Sequence, residues 1–291
     1  MRVSTSTRIC ESILWDKKNL YYDMPESIRM IAKAGYQNID MSFLTYTKGD
    51  RAMTREDWQS WVDEVWDTVQ ECVLEVSQAH AHSFNPLPKH TQSELDYHEE
   101  LIRRSIVAAG KMQVKWLTIH PVYVMDDVWF SWKKSMEVNL ERFRRYGDLA
   151  AQWNVGIAIE NLHGANRVHR FGAGPEDLLE LVERLDSQQF GICWDTGHAN
   201  LCGIDQGQAL QMIGSRLKAT HIADNDGQTD QHVAPFFGKI DWKTVVQALK
   251  QIGYEGDVAF EIPYFSCGFD DGFHQEALNF SKKLGDYLLT L

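Results

Sequence analysis

Glu160, Asp195, His221 and Glu261 stand at or beside the ends of four short apolar runs, and loop-like sequence follows each at once. The runs read Val155-Gly-Ile-Ala-Ile-Glu160, Phe190-Gly-Ile-Cys-Trp-Asp195, Ala219-Thr-His221-Ile222 and Val258-Ala-Phe-Glu261. Burying an ionisable side chain at a strand end costs free energy unless something there uses it. Three carboxylates and an imidazole gathered at one rim would repel one another without a divalent cation among them. Carboxylate-rich sites with one imidazole suit Mn2+ first, with Mg2+, Co2+ or Zn2+ as alternatives. These residue types in this arrangement point to a metalloenzyme.

The elements that must position them alternate from end to end. Strand-like segments are Val3–Thr7, Asn38–Met41, Leu74–Ala81, Trp116–His120, Val155–Glu160, Phe190–Asp195, Ala219–Ile222 and Val258–Glu261. Helical periodicity occupies Pro25–Ala34, Arg55–Cys72, Ser93–Met112, Val128–Trp153, Pro175–Leu185, Gln206–Ile213, Trp242–Ile252 and Gly272–Leu289. Thr54, Gly174-Pro175 and Asp241 read as helix starts, and Gly35, Gly253 and Gly256 as stops. Strict β-α alternation argues for a parallel sheet, and eight units in 291 residues favour an α/β chain closed into a (β/α)8 TIM barrel. No linker or repeat divides the chain, so residues 1–291 are expected to form one domain. No Gly-rich phosphate loop follows any strand, which favours an unphosphorylated ligand. Chemistry in such barrels sits at the C-terminal strand ends, where Asp40, His80, His82 and His120 also fall.

Asp195-Thr-Gly-His198 can turn a carboxylate and an imidazole into one mouth, or cap a helix and leave a surface His. The stretch His221-Ile-Ala-Asp-Asn-Asp-Gly227-Gln-Thr-Asp230-Gln-His232 is denser in ligand types than a turn needs. Asp224 and Asp226 in it are ordinary loop residues, whereas Asp230 and His232 are candidate additional metal or substrate ligands. His163 could contact substrate or serve structure. His90, His98, His169 and His274 lie in polar or helical segments and read as exposed, Lys239 as solvated, and Trp58, Trp61 and Trp66 as helix packing.

Lys+Arg 29 against Asp+Glu 41 gives a formal charge of −12, which offers no general attraction to phosphate backbones or anionic membranes. Neither a nucleic-acid nor a membrane partner is expected. Cys10, Cys72, Cys193, Cys202 and Cys267 are scattered and form no CxxC pair. Residues 1–8 lack the apolar core of a signal peptide and no run approaches a membrane span, so a cytoplasmic location is expected.

Together the motifs resemble the xylose-isomerase-like TIM barrel superfamily, which holds sugar isomerases and epimerases and, more distantly, endonuclease IV. The resemblance rests on Gly35-Tyr36, Ile159-Glu160-Asn161, Trp194-Asp195-Thr-Gly-His198, His221-Ile-Ala-Asp224, Gly238-Lys-Ile-Asp241-Trp242 and Phe260-Glu261. It implies that Glu160, Asp195, His221 and Glu261 hold the catalytic metal. In the ketose epimerase branch two metal-bound glutamates, here Glu160 and Glu261, remove and return a proton next to the carbonyl, and His198 binds a substrate oxygen. The physical logic is general: the metal stabilises the enediolate while two carboxylates serve as base and acid.

One departure is informative. The epimerases carry an Arg six residues after the metal-binding His, where this chain has Gly227, and it has Asp230-x-His232 instead. That pair resembles ligands of a further zinc in endonuclease IV, so His80 or His82 with His120, Glu160, Asp195, His198, His221, Asp230, His232 and Glu261 match a three-zinc phosphodiesterase set. Charge favours the sugar reading, because no basic track for DNA is present. Trp15, Tyr21, Tyr22, Phe43 and Tyr46, after the first two strands, can stack on a sugar ring and could equally stack on a base. The expectation is a metal-dependent isomerase or epimerase of a keto-sugar, inosose or related polyol, with His198, His120, His82 and Trp15 binding substrate. A lyase using the same enolate chemistry and a non-catalytic sugar-binding barrel are the alternatives, and homo-oligomers are common in the superfamily.

Overall fold

A computed structural model describes the chain except residues 14–18, 87–88, 127–128, 165–169, 264 and 267–268, together with the side chains of 11–13, 19–21, 126, 129 and 271. Trp15, His169 and Cys267 therefore lie outside the described residues. Eight parallel strands, β1 (Arg2–Ser6), β2 (Asn38–Ser42), β3 (Glu75–His80), β4 (Trp116–Ile119), β5 (Gly156–Glu160), β6 (Phe190–Asp195), β7 (Leu217–His221) and β8 (Asp257–Phe260), form the sheet. They pair in the order β7-β6-β5-β4-β3-β2-β1-β8. The last seam, between β7 and β8, is closed by a parallel bridge from Ile222 to Phe260. There Ile222 N donates to Ala259 O at 2.8 Å and Glu261 N to Ile222 O at 3.1 Å. The barrel is thus sealed at the rim that carries His221 and Glu261.

The strands alternate faces with period two. Ile157, Ile159, Ile192 and Trp194 join the large apolar cluster, whereas Ala158, Cys193 and Ala219 form a small cluster of their own. Two residues beyond these three come Glu160, Asp195 and His221, which share their face. Gln78 of β3 adds a polar layer, its Nε2 donating to Thr220 O of β7 at 3.0 Å. Small and polar residues, rather than branched aliphatics, therefore lie beneath the rim.

Helices α1 (Met24–Lys33), α2 (Trp58–Glu71), α3 (Gln92–Lys111), α4 (Trp132–Gln152), α5 (Pro175–Leu185), α6 (Thr196–Leu201), α7 (Gln206–Ile213), α8 (Trp242–Gln251) and α9 (His274–Leu288) follow the expected order, except that the short α6 is an addition to it. Pro175 opens α5 behind Gly174, and Asp241 caps α8 by accepting from Thr244 N at 3.2 Å. Thr54 does not start α2: it lies in a 3-10 turn and its hydroxyl donates to Arg51 O at 2.8 Å. Nor does α4 reach back to residue 128, because Ser131 caps it and Met125–Asp126 pair with Trp129–Phe130 in a short ribbon. Gly35 and Gly253 take φ of +91° and +67° where helices stop. Gly256 serves a different need, since a Cβ there would lie 2.3 Å from the Tyr254 hydroxyl. No helix of the described residues is long and apolar enough to cross a membrane.

Candidate functional site

Glu160, Asp195, His221 and Glu261 are all buried, and one ligand atom from each lies within 4.8 Å of the others. Metal–ligand bonds of about 2.0–2.2 Å set opposite ligands about 4–4.5 Å apart, so the spacing suits a divalent ion. The unmet polar atoms fit as well. Asp195 Oδ1 accepts from His198 N at 2.7 Å, capping α6, while Asp195 Oδ2 is buried without a hydrogen-bond partner. Capping and site thus coincide in one residue, and His198 behind it is buried rather than at the surface. Asn161 holds Asp195 from both sides, its Oδ1 accepting from Asp195 N at 2.6 Å and its Nδ2 donating to Asp195 O at 2.9 Å.

Three carboxylates surround His221. Its Nδ1 lies 2.8 Å from Glu160 Oε1 and 3.6 Å from Glu261 Oε2, and its Nε2 lies 3.2 Å from Asp40 Oδ2. A carboxylate behind the second ring nitrogen is the usual support of a metal-ligating imidazole. Glu160 Oε2 meets His120 Nε2 at 2.9 Å and His80 Nε2 at 3.2 Å, and Glu261 Oε1 meets Arg8 Nη1 at 3.1 Å. Burial alone would raise both glutamates, but the cations around them win. His221 and His120 hold Glu160 well below the usual carboxylate range, and His221, His232 and Arg8 bring Glu261 down to about 2. Asp195 goes the other way, raised by burial and by the charges of Glu160 and Glu261.

A second cluster borders the first. Nδ1 of His163, His198 and His232 lies 3.0, 2.8 and 3.0 Å from the carbonyls of Gly164, Asn161 and Glu261. A carbonyl only accepts, so each Nδ1 carries a proton. Each Nε2 then points toward Asp230 Oδ2, at 4.0, 3.9 and 3.2 Å respectively. His232 holds this pose with φ +45°, in the left-handed region that side chains other than glycine rarely adopt. His120 and His80 complete a third group with Glu160.

Asp224 turns out to be the clamp of the loop that carries Asp230 and His232. Its Oδ1 accepts from the backbone N–H of Asn225 at 2.9 Å and of Ile240 at 3.1 Å, and its Oδ2 from Phe236 N at 3.1 Å and Trp242 Nε1 at 2.8 Å. A Cβ at Gly238 would fall 2.2 Å from Oδ1, which explains the Gly-Lys-Ile-Asp-Trp sequence in structural terms. Asp224→Ala leaves four donors without their acceptor, three of them backbone N–H groups. It is expected to cost about 3–5 kcal/mol, read as a lower urea midpoint at unchanged slope.

His82 sits outside the site. Its Nδ1 pairs with Thr47 Oγ1 at 2.9 Å and its Nε2 with His98 Nδ1 at 2.8 Å. His98 in turn stacks on Phe84 at 3.6 Å, so it is not the exposed helix residue its surroundings suggest. His274 is likewise buried, its Nε2 3.2 Å from Phe269 O. Burial, helped by the charges of His98, Lys48 and His80, pushes His82 down to about 3. A histidine depressed when folded takes up its proton only on unfolding. Stability therefore falls as pH drops from about 6.5 toward 3. About 2 kcal/mol is expected to be lost between pH 7 and pH 5 through this group. Urea titrations at the two pH values should show that loss shrinking in His82→Gln.

Of the quartet, Glu160 and Glu261 line a cavity of about 330 Å3, together with His80, His120, His163, His198, Asp230 and His232. Phe43 and Tyr46 do not reach it: both are buried, Tyr46 against Trp61 with ring centres 4.7 Å apart. Tyr22 packs edge-on against His274, and the Tyr21 side chain and Trp15 are outside the description. Arg8, Asn85, Tyr123 and Arg170, none singled out from sequence, complete the wall. Arg8 follows β1 by two residues, so the strand-end rule alone would have found it.

The pattern of the family described as xylose isomerase-like TIM barrel matches residues 28–284. An uncharacterised protein of Methanocaldococcus jannaschii is 32% identical over 165 residues, 56% of this chain and 55% of that protein. An inosose dehydratase of Geobacillus thermodenitrificans is 25% identical over 167 residues, 50% of this chain and 51% of that protein. The chain spans about half the length of these curated relatives. A solved D-tagatose 3-epimerase-like protein shares the fold with TM-score 0.75 at 20% identity, covering 100% of this chain and 97% of that one. With the barrel, its strand-end quartet and a match over most of its length in hand, the chain belongs to the xylose isomerase-like TIM barrel family.

Proposed function

We propose that the chain is a divalent-metal-dependent sugar isomerase or epimerase. It would act on a keto-sugar, inosose or related polyol. The observation that carries the reading is that Glu160 and Glu261, from β5 and the end of β8, share one buried quartet and open into one cavity. A divalent ion held by Glu160, Asp195, His221 and Glu261, Mn2+ foremost, would supply positive charge where negative charge develops on the substrate oxygens. Both glutamates are held ionised by their cationic neighbours, so each can accept a proton. One takes the proton from the carbon beside the carbonyl and the other returns it. His198, fixed through Nδ1 to Asn161 O, and His120, whose Nδ1 lies 2.9 Å from Ser83 Oγ, position substrate oxygens. The inosose dehydratase relative favours a close variant in which the same proton removal is followed by loss of a hydroxyl, making a lyase.

The test is incubation with Mn2+ and a panel of ketoses and inososes in D2O, followed by proton NMR. Loss of the α-hydrogen signal with formation of an epimer, aldose or dehydrated product is expected, and no exchange across the panel would sink the proposal. A second reading is favoured by the three adjoining ligand groups, around His80 and His120, around Asp195, and around Asp230. They match a three-zinc phosphodiesterase like endonuclease IV. About three zincs per chain together with nicking of abasic DNA would select it over the sugar reading.

A further inference from the structure

Arg8 and Arg170 are the arginines among the described residues that line the cavity. Arg8 is answered by Glu261. Arg170 has no ion pair with a carboxylate among the described residues; its guanidinium carbon sits 4.7 Å from the centre of the Tyr123 ring. A contact of this kind engages the cation through the ring and uses none of its N–H donors.

The ring that supports it is firmly placed. Tyr123 N donates to Asn85 Oδ1 at 2.9 Å and Asn85 Nδ2 to Tyr123 O at 3.4 Å. The flanking residues are fixed too. Val122 N donates to Asn139 Oδ1 at 2.9 Å, and Val124 N to Ser135 Oγ at 2.9 Å. Three side chains thus pin three successive residues after β4, and the ring of the middle one carries a guanidinium at the cavity. Partial burial of a cation costs free energy unless an anion meets it. In a chain with 41 acidic residues and a net charge of −12, no carboxylate among the described residues is used as its partner.

We propose that Arg170 on its Tyr123 platform is an anion subsite, and that the substrate is a keto-sugar bearing a carboxylate or phosphate away from its carbonyl. The planar fork of the guanidinium suits two oxygens of one such group. The inference rests on the sugar reading above for the rest of the substrate.

The test uses the full chain loaded with Mn2+ and three probes: D-fructuronate, D-fructose 6-phosphate and D-fructose. Calorimetry measures binding, and NMR in D2O measures α-hydrogen exchange. One of the two anions is expected to bind roughly 10- to 100-fold more tightly than D-fructose, the margin of a charge-assisted hydrogen-bonded pair. Which anion is preferred identifies the group as carboxylate or phosphate. The preference should weaken with salt, vanish in Arg170→Gln and return in part in Arg170→Lys. No preference in the native chain, or one that survives Arg170→Gln, overturns the subsite. Arg170-dependent anion binding without exchange would keep the subsite and remove the isomerase reading, whereas exchange without anion preference would do the reverse.

Discussion

Glu160→Gln is expected to slow exchange of the substrate α-hydrogen with solvent by about 10^3-fold or more, and Glu261→Gln to do the same. Glutamine keeps nearly the same shape, so packing at the buried position survives while the proton carrier is lost. At Glu160 the change also takes a negative charge from among His221, His120 and His80, which approach within 2.8, 2.9 and 3.2 Å. At Glu261 it takes the partner of Arg8. Metal content must therefore be measured alongside the rate, because either variant weakens an ion's hold as well as removing a base. Asp195→Asn separates the two effects: it removes a ligand but not a proton carrier, so excess Mn2+ should recover much of its rate and recover neither glutamine variant. Exchange at the native rate in both glutamine variants would make the two-carboxylate scheme wrong.

The strands and their last residues were legible because burial, period two and a terminal carboxylate leave a mark in a few consecutive residues. Residues that enter the cavity from loops leave none. Arg170 matters only because Tyr123, some fifty residues earlier, is pinned beneath it by Asn85 from yet another loop. His80 and His82 show where the strand rule fails. Both have the parity of the inner face, but β3 ends at His80 and the chain turns, so His82 meets Thr47 and His98 instead. Phe43 and Tyr46 follow β2 as expected, yet burial in the core outweighs any role at the mouth. Asp224 is the structural loop residue its setting suggests, but its clamping role leaves no local mark. Asp-Asn-Asp-Gly reads as loop chemistry in isolation, and the donors that saturate Asp224 lie up to 18 residues on. The helix α6 has only 6 residues, too few for a periodic signal, and Asp195 is its cap.

Mn2+ at about 1,000 times its Kd is expected to raise the unfolding free energy by about 4 kcal/mol, or roughly 5–10 °C in melting temperature. The reason is local. Without a cation, Glu160, Asp195 and Glu261 are three buried carboxylates around one imidazole, and Asp195 is raised because burial and its like-charged neighbours oppose its ionisation. An ion there removes that repulsion in the folded state only. His221→Ala should abolish the gain together with the binding. Asp40→Asn should keep all four ligands but weaken binding about 10–100-fold, since Asp40 is what stands behind His221 Nε2 at 3.2 Å. Exhaustive chelation should return the melting temperature to that of the metal-free chain and stop exchange entirely. If melting ignored Mn2+ and exchange persisted after chelation, the quartet would be a buried ionic network and the proton transfer would need another source of positive charge. A gain that saturates at one ion per chain fits the isomerase; three steps would point to the phosphodiesterase. The outcome turns on Asp230, because its cluster can bind a second ion only if His232 gives up its 3.2 Å contact with Asp230 and offers Nε2 as a ligand, joined by the Nε2 atoms of His163 and His198 at 4.0 and 3.9 Å. Asp230→Asn should then leave a one-ion stability gain intact and shorten a three-ion titration by one step.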